Sequence, residues 1–221
     1  MALDRKVDAL ASLGADLLVL PEAAEQPLAA VGPDASYAWR GRTPRKGLGV
    51  LATGGWRVAP IEAETHPWEL PVRVLDPSGR EAFSLLAIWT VQAPGRGAYT
   101  AQLAATIDRW GKRLDAGRWL LAGDLNASAP DPRHVANVEA LHALGMRSAY
   151  HEARGGGHGL EPDPTLRWTA RGGERRAYHC DVVFLSRSLL PGLRDVTIGT
   201  FGDWVESGLS DHCPVTVTLQ A

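Results

Sequence analysis

The feature that most restricts what this chain can fold into is a recurrence of short apolar runs that meet an acid or an amide at one end. LLVLPE (17–22) ends on Glu22, and RWLLAGDLN (118–126) delivers Asp124 and Asn126. GLSDHCPVTVTL (208–219) opens on Ser210, Asp211 and His212, and YHCDVVFL (178–185) holds Asp181 just inside its apolar stretch. Runs of this kind read as buried strands. SYAWRGR, GLGVLAT, WRVAPIEA and LPVRVLD add four more, and the last turns through DPSG (76–79) into EAFSLLAIWTVQ (81–92) as a hairpin. TLRWT and LRDVTIGT complete the strand-like set. Helical spacing is confined to about three segments: DRKVDALASL (4–13), YTAQLAATIDRWGKRLD (99–115) and PRHVANVEALHALG (132–145). The last carries Pro132 near its start and Gly145 at its end. So many apolar strands with so few helices predict an α/β chain in which two mixed sheets pack face to face with helices outside. No repeat or linker divides the sequence, so one domain over residues 1–221 is expected.

Composition removes several classes. At 45% hydrophobic and 22% charged residues the chain is neither disordered nor membrane-like. It has no apolar run long enough to span a bilayer, and its first residues carry Asp4 and Asp8 where a secretory signal would be apolar. A cytoplasmic monomer is the expectation. Net charge is −2, so the chain is no generic polycation for nucleic acid. Two basic clusters, WRGRTPRK (39–46) with Arg42 and RGGERR (171–176) with Arg176, are ordinary solvated loops or, beside a phosphoryl site, phosphate clamps. GLGVLA lacks the following helix that dinucleotide binding requires, and no G-x-S-x-G elbow is present.

A carboxylate at the end of a buried strand is costly unless it meets a metal, a partner or solvent. An Asp or Asn there also serves as a plain turn residue, so one strand end decides nothing. Several converging on one mouth suit Mg²⁺ or Mn²⁺, which take hard oxygens and leave room for water and a substrate phosphate. LPE, GDLN, the HCD strand and SDHCPV resemble, in order and approximate spacing, the endonuclease/exonuclease/phosphatase superfamily, which includes deoxyribonuclease I, exonuclease III and the inositol-polyphosphate phosphatases. The resemblance covers nearly the whole chain. It implies a four-layer α/β sandwich and metal-dependent hydrolysis of a phosphodiester (nuclease-like) or phosphomonoester, with a phosphate ester or nucleic acid as partner. It implies further that Glu22 ligates the metal, and that Asp211 helps hold metal or water. Asp124 would position or deprotonate the attacking water, and Asn126 would orient it or hold a phosphate oxygen. His212 would stabilise transition-state charge, with Asp181 hydrogen-bonded to it.

Two departures from the family stand out. The family opens with a strand ending in a ligating Asn, whereas this chain begins almost at the first helix; the expectation is that the strand lies upstream of Met1, the alternative being that the edge has been lost. At the end of 81–92, where relatives place a His or Tyr, stand Trp89, Thr90 and Gln92, so Gln92 is left to donate a neutral hydrogen bond. These departures keep open the alternative of a non-catalytic binding module on the same fold. Trp168 occupies the place of an aromatic near the substrate cleft, although a packing role is the simpler reading. His142, His151 and His158 lack zinc spacing and are expected to be scattered on the surface. Cys180 and Cys213 are expected as free buried thiols, facing away from their neighbours Asp181 and His212.

Overall fold

A computed structural model describes residues 6–32, 34–92, 95, 97–169, 173 and 175–220. In chain order, α1 (Val7–Ala11) leads to β1 (Leu17–Ala23), α2 (Glu25–Ala29), β2 (Ser36–Thr43) and β3 (Lys46–Ala52). Next come β4 (Arg57–Pro60), β5 (Glu69–Leu75), β6 (Glu81–Trp89), α3 (Tyr99–Ala116), β7 (Trp119–Asp124) and α4 (Pro132–Ala143). The remainder is β8 (Arg147–Ser148), α5 (Ala149–Arg154), β9 (Leu166–Thr169), β10 (Arg175–Tyr178), β11 (Asp181–Leu185), β12 (Leu193–Ile198) and β13 (Val215–Leu219). No helix among the described residues is long and apolar enough to cross a membrane.

Six strands form a mixed sheet in the order β4-β5-β6-β7-β11-β8, with β6 and β7 parallel. Alternation along these strands feeds two cores, because successive side chains leave a strand on opposite faces. Leu85, Ala87, Leu120 and Ala122 point one way, against Leu48, Val50 and Ala52 of β3. Leu86, Ile88 and Leu121 point the other way, under Leu103, Ile107, Trp110 and Leu114 of α3 and Val138 and Leu141 of α4. On the far side of β3, Leu51 packs with Leu28 of α2 and with Leu10 and Leu18. Helices, sheet, sheet and helices make four layers, as the strand-rich sequence predicts. Glu69, wholly buried beneath α3, is matched by three donors: Thr106 Oγ1 (2.7 Å), Trp110 Nε1 (3.1 Å) and the His66 amide (2.8 Å).

The second layer departs from expectation in its continuity. It is divided into an antiparallel triplet, β1-β3-β2, and a separate pair, β12-β13. Among the described residues β1 pairs only with β3, and β13 only with β12. The facing edges of β1 and β13 both line a cavity of about 1130 Å³, which also reaches Phe83, Leu120 and Val183 of the six-stranded sheet. Apolar residues on both edge strands are consequently only half-buried.

Smaller differences concern local structure. Residues 149–154 form α5, since only Tyr150 in this stretch favours a strand strongly. The expected single strand through 178–186 is two, β10 and β11, separated at His179 and Cys180. The helices number five α-helices among the described residues rather than about three, because one-turn elements such as α2 leave little periodic signal.

Candidate active site

Register builds the site. β7 pairs antiparallel with β11 so that Asp124 stands directly opposite Asp181, and it pairs in parallel with β6 so that Trp89 flanks it on the other side. Two like charges facing each other across a ladder repel, so a cation or a proton must be part of the arrangement. His212 supplies one. It reaches the pair because an isolated bridge joins it to Leu166 at the start of β9, and its Nδ1 lies 2.8 Å from Asp181 Oδ2. Burial opposes charge on the ring, but the hydrogen bond and charge of Asp181, reinforced by Asp124 and Asp211, prevail and raise its pKa to about 9. His212 is thus an imidazolium at neutral pH, with Nδ1 donating to the carboxylate.

Asp124 is 4% exposed, and burial first, then the charge of Asp181, holds its carboxyl well above the ordinary range. Asn126 answers from two positions downstream. Its backbone N–H donates to Asp124 Oδ1 and its Nδ2 to Oδ2, both at 2.7 Å, while Nδ2 also reaches the Thr90 carbonyl at 2.9 Å. Asn126 sits at φ +48°, a region Asn tolerates better than most residues. Gly123 is required by its neighbour: its φ is +142°, and a Cβ there would stand 1.9 Å from the Ile88 carbonyl oxygen.

Glu22, Asp124, Asp181, Asp211 and His212 all line the large cavity at the end shared by β1, β7, β11 and the entry to β13. Glu22 pairs with Lys46 Nζ at 2.8 Å, and that ammonium lies 5.3 Å from the centre of the Trp89 ring. Lys6, whose Nζ donates to Ser210 Oγ at 3.2 Å, feels Asp211 and Glu22 together, although burial lowers its pKa. The structure therefore gathers the six acid, amide and imidazole candidates. The four substrate-binding candidates lie outside the cavity lining. Gln92 is exposed beyond β6, and Arg42 is exposed on β2. Trp168 and Arg176 are exposed partners across β9–β10, with the guanidinium 5.9 Å from the ring centre. Trp168, at 45% exposed, is not a packing residue. Part of the RGGERR cluster, residues 171, 172 and 174, lies outside the described residues.

Three groups were missed in the sequence. Lys46 belongs to a noted basic cluster, but only the fold shows that it, rather than Arg42, meets the acids. Tyr99, at the start of α3, has its pKa raised by burial and by the charge of Asp124, so a phenol approaches the site from an element the strand-end pattern does not include. Cys180 corrects an expectation: its thiol, buried as expected, does not face away. It lies 3.7 Å from Asp181 Oδ2 and in one cluster with Asp124 and His212. Burial and the two carboxylates push its pKa up, so it remains a thiol and a poor metal ligand. Cys213 is buried and free as expected.

The chain has a deoxyribonuclease-I-like fold. Among solved structures, the 3′ phosphatase NExo from Neisseria bound to a product DNA hairpin is similar over 100% of this chain and 96% of its own, at TM-score 0.70 and 14% identity. An AP endonuclease from Archaeoglobus fulgidus matches over 97% and 93% (TM-score 0.70, 13% identity). D. rerio TDP2 with a single-strand DNA product matches over 99% and 92% (TM-score 0.70, 19% identity). No family model matches the chain, and neither does the sequence of a curated protein.

Proposed function

We propose that this protein is a divalent-metal-dependent phosphoesterase that hydrolyses a phosphodiester or phosphomonoester of nucleic acid. The observation that carries the reading is the Asp124–Asp181–His212 constellation: two facing carboxylates, one of them buried, sharing a single imidazolium at the mouth of a large cavity. Three further points support it: the fold, the exposed Trp168 with its neighbouring Arg176, and the DNA carried by two of the similar structures. An exposed ring next to a guanidinium is a platform on which an unstacked base rests.

The donor set fits Mg²⁺ or Mn²⁺. Four carboxylates, Glu22, Asp124, Asp181 and Asp211, line the one cavity, which supplies the hard oxygens such an ion takes. Glu22 and Asp211, whose charges both act on Lys6, would hold the ion. When bound, it polarises the phosphoryl oxygens and supplies charge stabilisation of several kcal/mol. The chain's own groups do the rest. Asp124, with a carboxyl biased toward protonation, would accept the proton of a water whose oxygen bonds to phosphorus as the P–O bond to the leaving group breaks, and the leaving oxygen would take its proton from bulk water. Asn126 fixes the orientation of that carboxylate through both of its oxygens. Asp181 holds the His212 ring in one orientation and keeps it cationic, so that His212 meets charge developing on the phosphoryl group.

One contact favours the alternative of a non-catalytic module: Lys46 already neutralises Glu22. Incubation with oligonucleotides bearing an abasic site or a 3′-phosphate, and with nitrophenyl phosphate esters, separates the two. Turnover that needs Mg²⁺ or Mn²⁺, stops with EDTA and is lost in Asp124→Asn supports the enzyme. Binding of the oligonucleotides without turnover under every metal condition supports the module.

A further inference from the structure

Away from the cavity, the fold assembles histidines that the sequence scatters. α5 presents His151, while the Gly- and Pro-rich segment 155–164, too polar to be read as a packed element, brings His158 and Glu161 against it. The rings of His151 and His158 stack with centroids 3.7 Å apart. Glu161 Oε1 lies 3.2 Å from His151 Nε2, and these two side chains are 8% and 12% exposed. One ligand atom from each of the three residues falls within 4.8 Å of the others. His158 Nε2 is buried without a hydrogen-bond partner, whereas His151 Nε2 meets the Glu161 carboxylate.

We propose that His151, His158 and Glu161 form a second metal site, for Zn²⁺ or a cation of similar character, separate from the phosphoesterase mouth. A buried imidazole nitrogen with nothing to bond is an unrecovered cost in an empty fold, and an ion held between His158, His151 and Glu161 satisfies it. Two His and one Glu are the donor types of tetrahedral zinc sites that leave one position to water. The outer contacts needed to orient such ligands are present. His151 Nδ1 lies 2.8 Å from Ser148 Oγ, and Glu161 Oε2 accepts the Gly159 N–H at 2.8 Å.

The ion would pin segment 155–164 to α5. That segment runs into Thr165, whose Oγ1 accepts the backbone N–H groups of Cys180 and Asp181, each at 3.1 Å. Zinc here would therefore brace the strand start that carries Asp181, without touching the reaction.

The test uses tag-free, chelator-stripped protein titrated with Co²⁺ and Zn²⁺, following the visible Co²⁺ spectrum, stoichiometry and thermal melting. The expected result is one equivalent bound with a tetrahedral-type spectrum, a higher melting temperature, and both retained in Asp124→Asn. His158→Ala and Glu161→Gln should each weaken binding by at least the ~10–100-fold that outer partners are worth, and Ser148→Ala by about 10-fold. If His158→Ala does not fold, Glu161→Gln and Ser148→Ala carry the comparison. The proposal is overturned if no equivalent binds, if binding disappears in Asp124→Asn, or if it is unchanged in both Glu161→Gln and Ser148→Ala.

Discussion

The charge balance between Asp181 and His212 has a consequence for stability that can be worked through. In the folded chain His212 titrates near 9, against about 6.5 for an unperturbed imidazole. Its proton is thus held more tightly in the native state, by about 3 kcal/mol. A raised native value stabilises fully at pH below the unfolded value, and the contribution is lost as pH climbs through 9. Between pH 6 and 8.5 the decline should be about 2 kcal/mol. Asp124 adds to the same slope, because burial and Asp181 make it too hold its proton more tightly when folded. Asp181→Asn keeps the shape but removes the charge that holds the His212 proton and crowds Asp124. Both contributions shrink together, leaving a slope of under about 1 kcal/mol across that window. Urea unfolding by tryptophan fluorescence at several pH values, with EDTA present throughout, measures it. The His212 ring titration by NMR should fall at the same time from near 9, since only the charges of Asp124 and Asp211 are then left to oppose burial. A variant whose stability retains the full wild-type slope refutes the electrostatic account of the pair.

Other perturbations test the scaffold. Gly123→Ala drives a Cβ into the Ile88 carbonyl and should cost at least about 3 kcal/mol by denaturant midpoint, with loss of Asp124 positioning; a near-neutral effect would mean that β6 and β7 do not lie as described. Glu69→Leu strands three buried donors and should cost about 3 kcal/mol or more, whereas an exposed substitution such as Arg42→Ala should move stability by less than about 0.5 kcal/mol. A designed strand-forming segment of about ten residues, joined ahead of Met1, should add at the edges of β1 and β13 that line the cavity. It should raise melting by several degrees, on the scale of about 2–4 °C per kcal/mol for a chain of this size; equal melting would show that the gap between the two edges does not accept a strand.

What the sequence reveals and what it hides follow from how far apart the partners lie. The cores are legible because Leu103, Ile107, Trp110 and Leu114, or Leu85 and Leu86, declare their faces through periods of 3.6 and 2 within one segment. Gathering the acids at one mouth was also within reach, because each sits at the end of its own apolar run and strand ends of stacked sheets meet. The arrangement of β1 and β13 is not legible in the sequence. Its physical form, two facing edges over one cavity, depends on how β12 and β13 dock, which no local pattern encodes.

The histidines mark the same boundary from the other side. Spacing detects a metal site only when its ligands share an element, as on one helix face or across one turn. His151 and His158 are separated by a segment whose glycines carry no periodic signal, so composition assigns that segment to solvent. Tertiary packing overrides this because His158 finds aromatic neighbours on both faces, His151 on one and Phe184 on the other, while Glu161 folds back onto His151. A polar, glycine-rich segment becomes packed when its few non-glycine side chains are ones that a neighbouring helix can bind. Cys180 misleads for the related reason that alternation predicts its face only if the strand continues through it. With β10 ending at Tyr178 and β11 starting at Asp181, the backbone at Cys180 is irregular, and its thiol turns toward the carboxylates instead of away. The places where pattern reading fails are thus the breaks between elements, and in this chain the breaks are where both candidate metal sites are assembled.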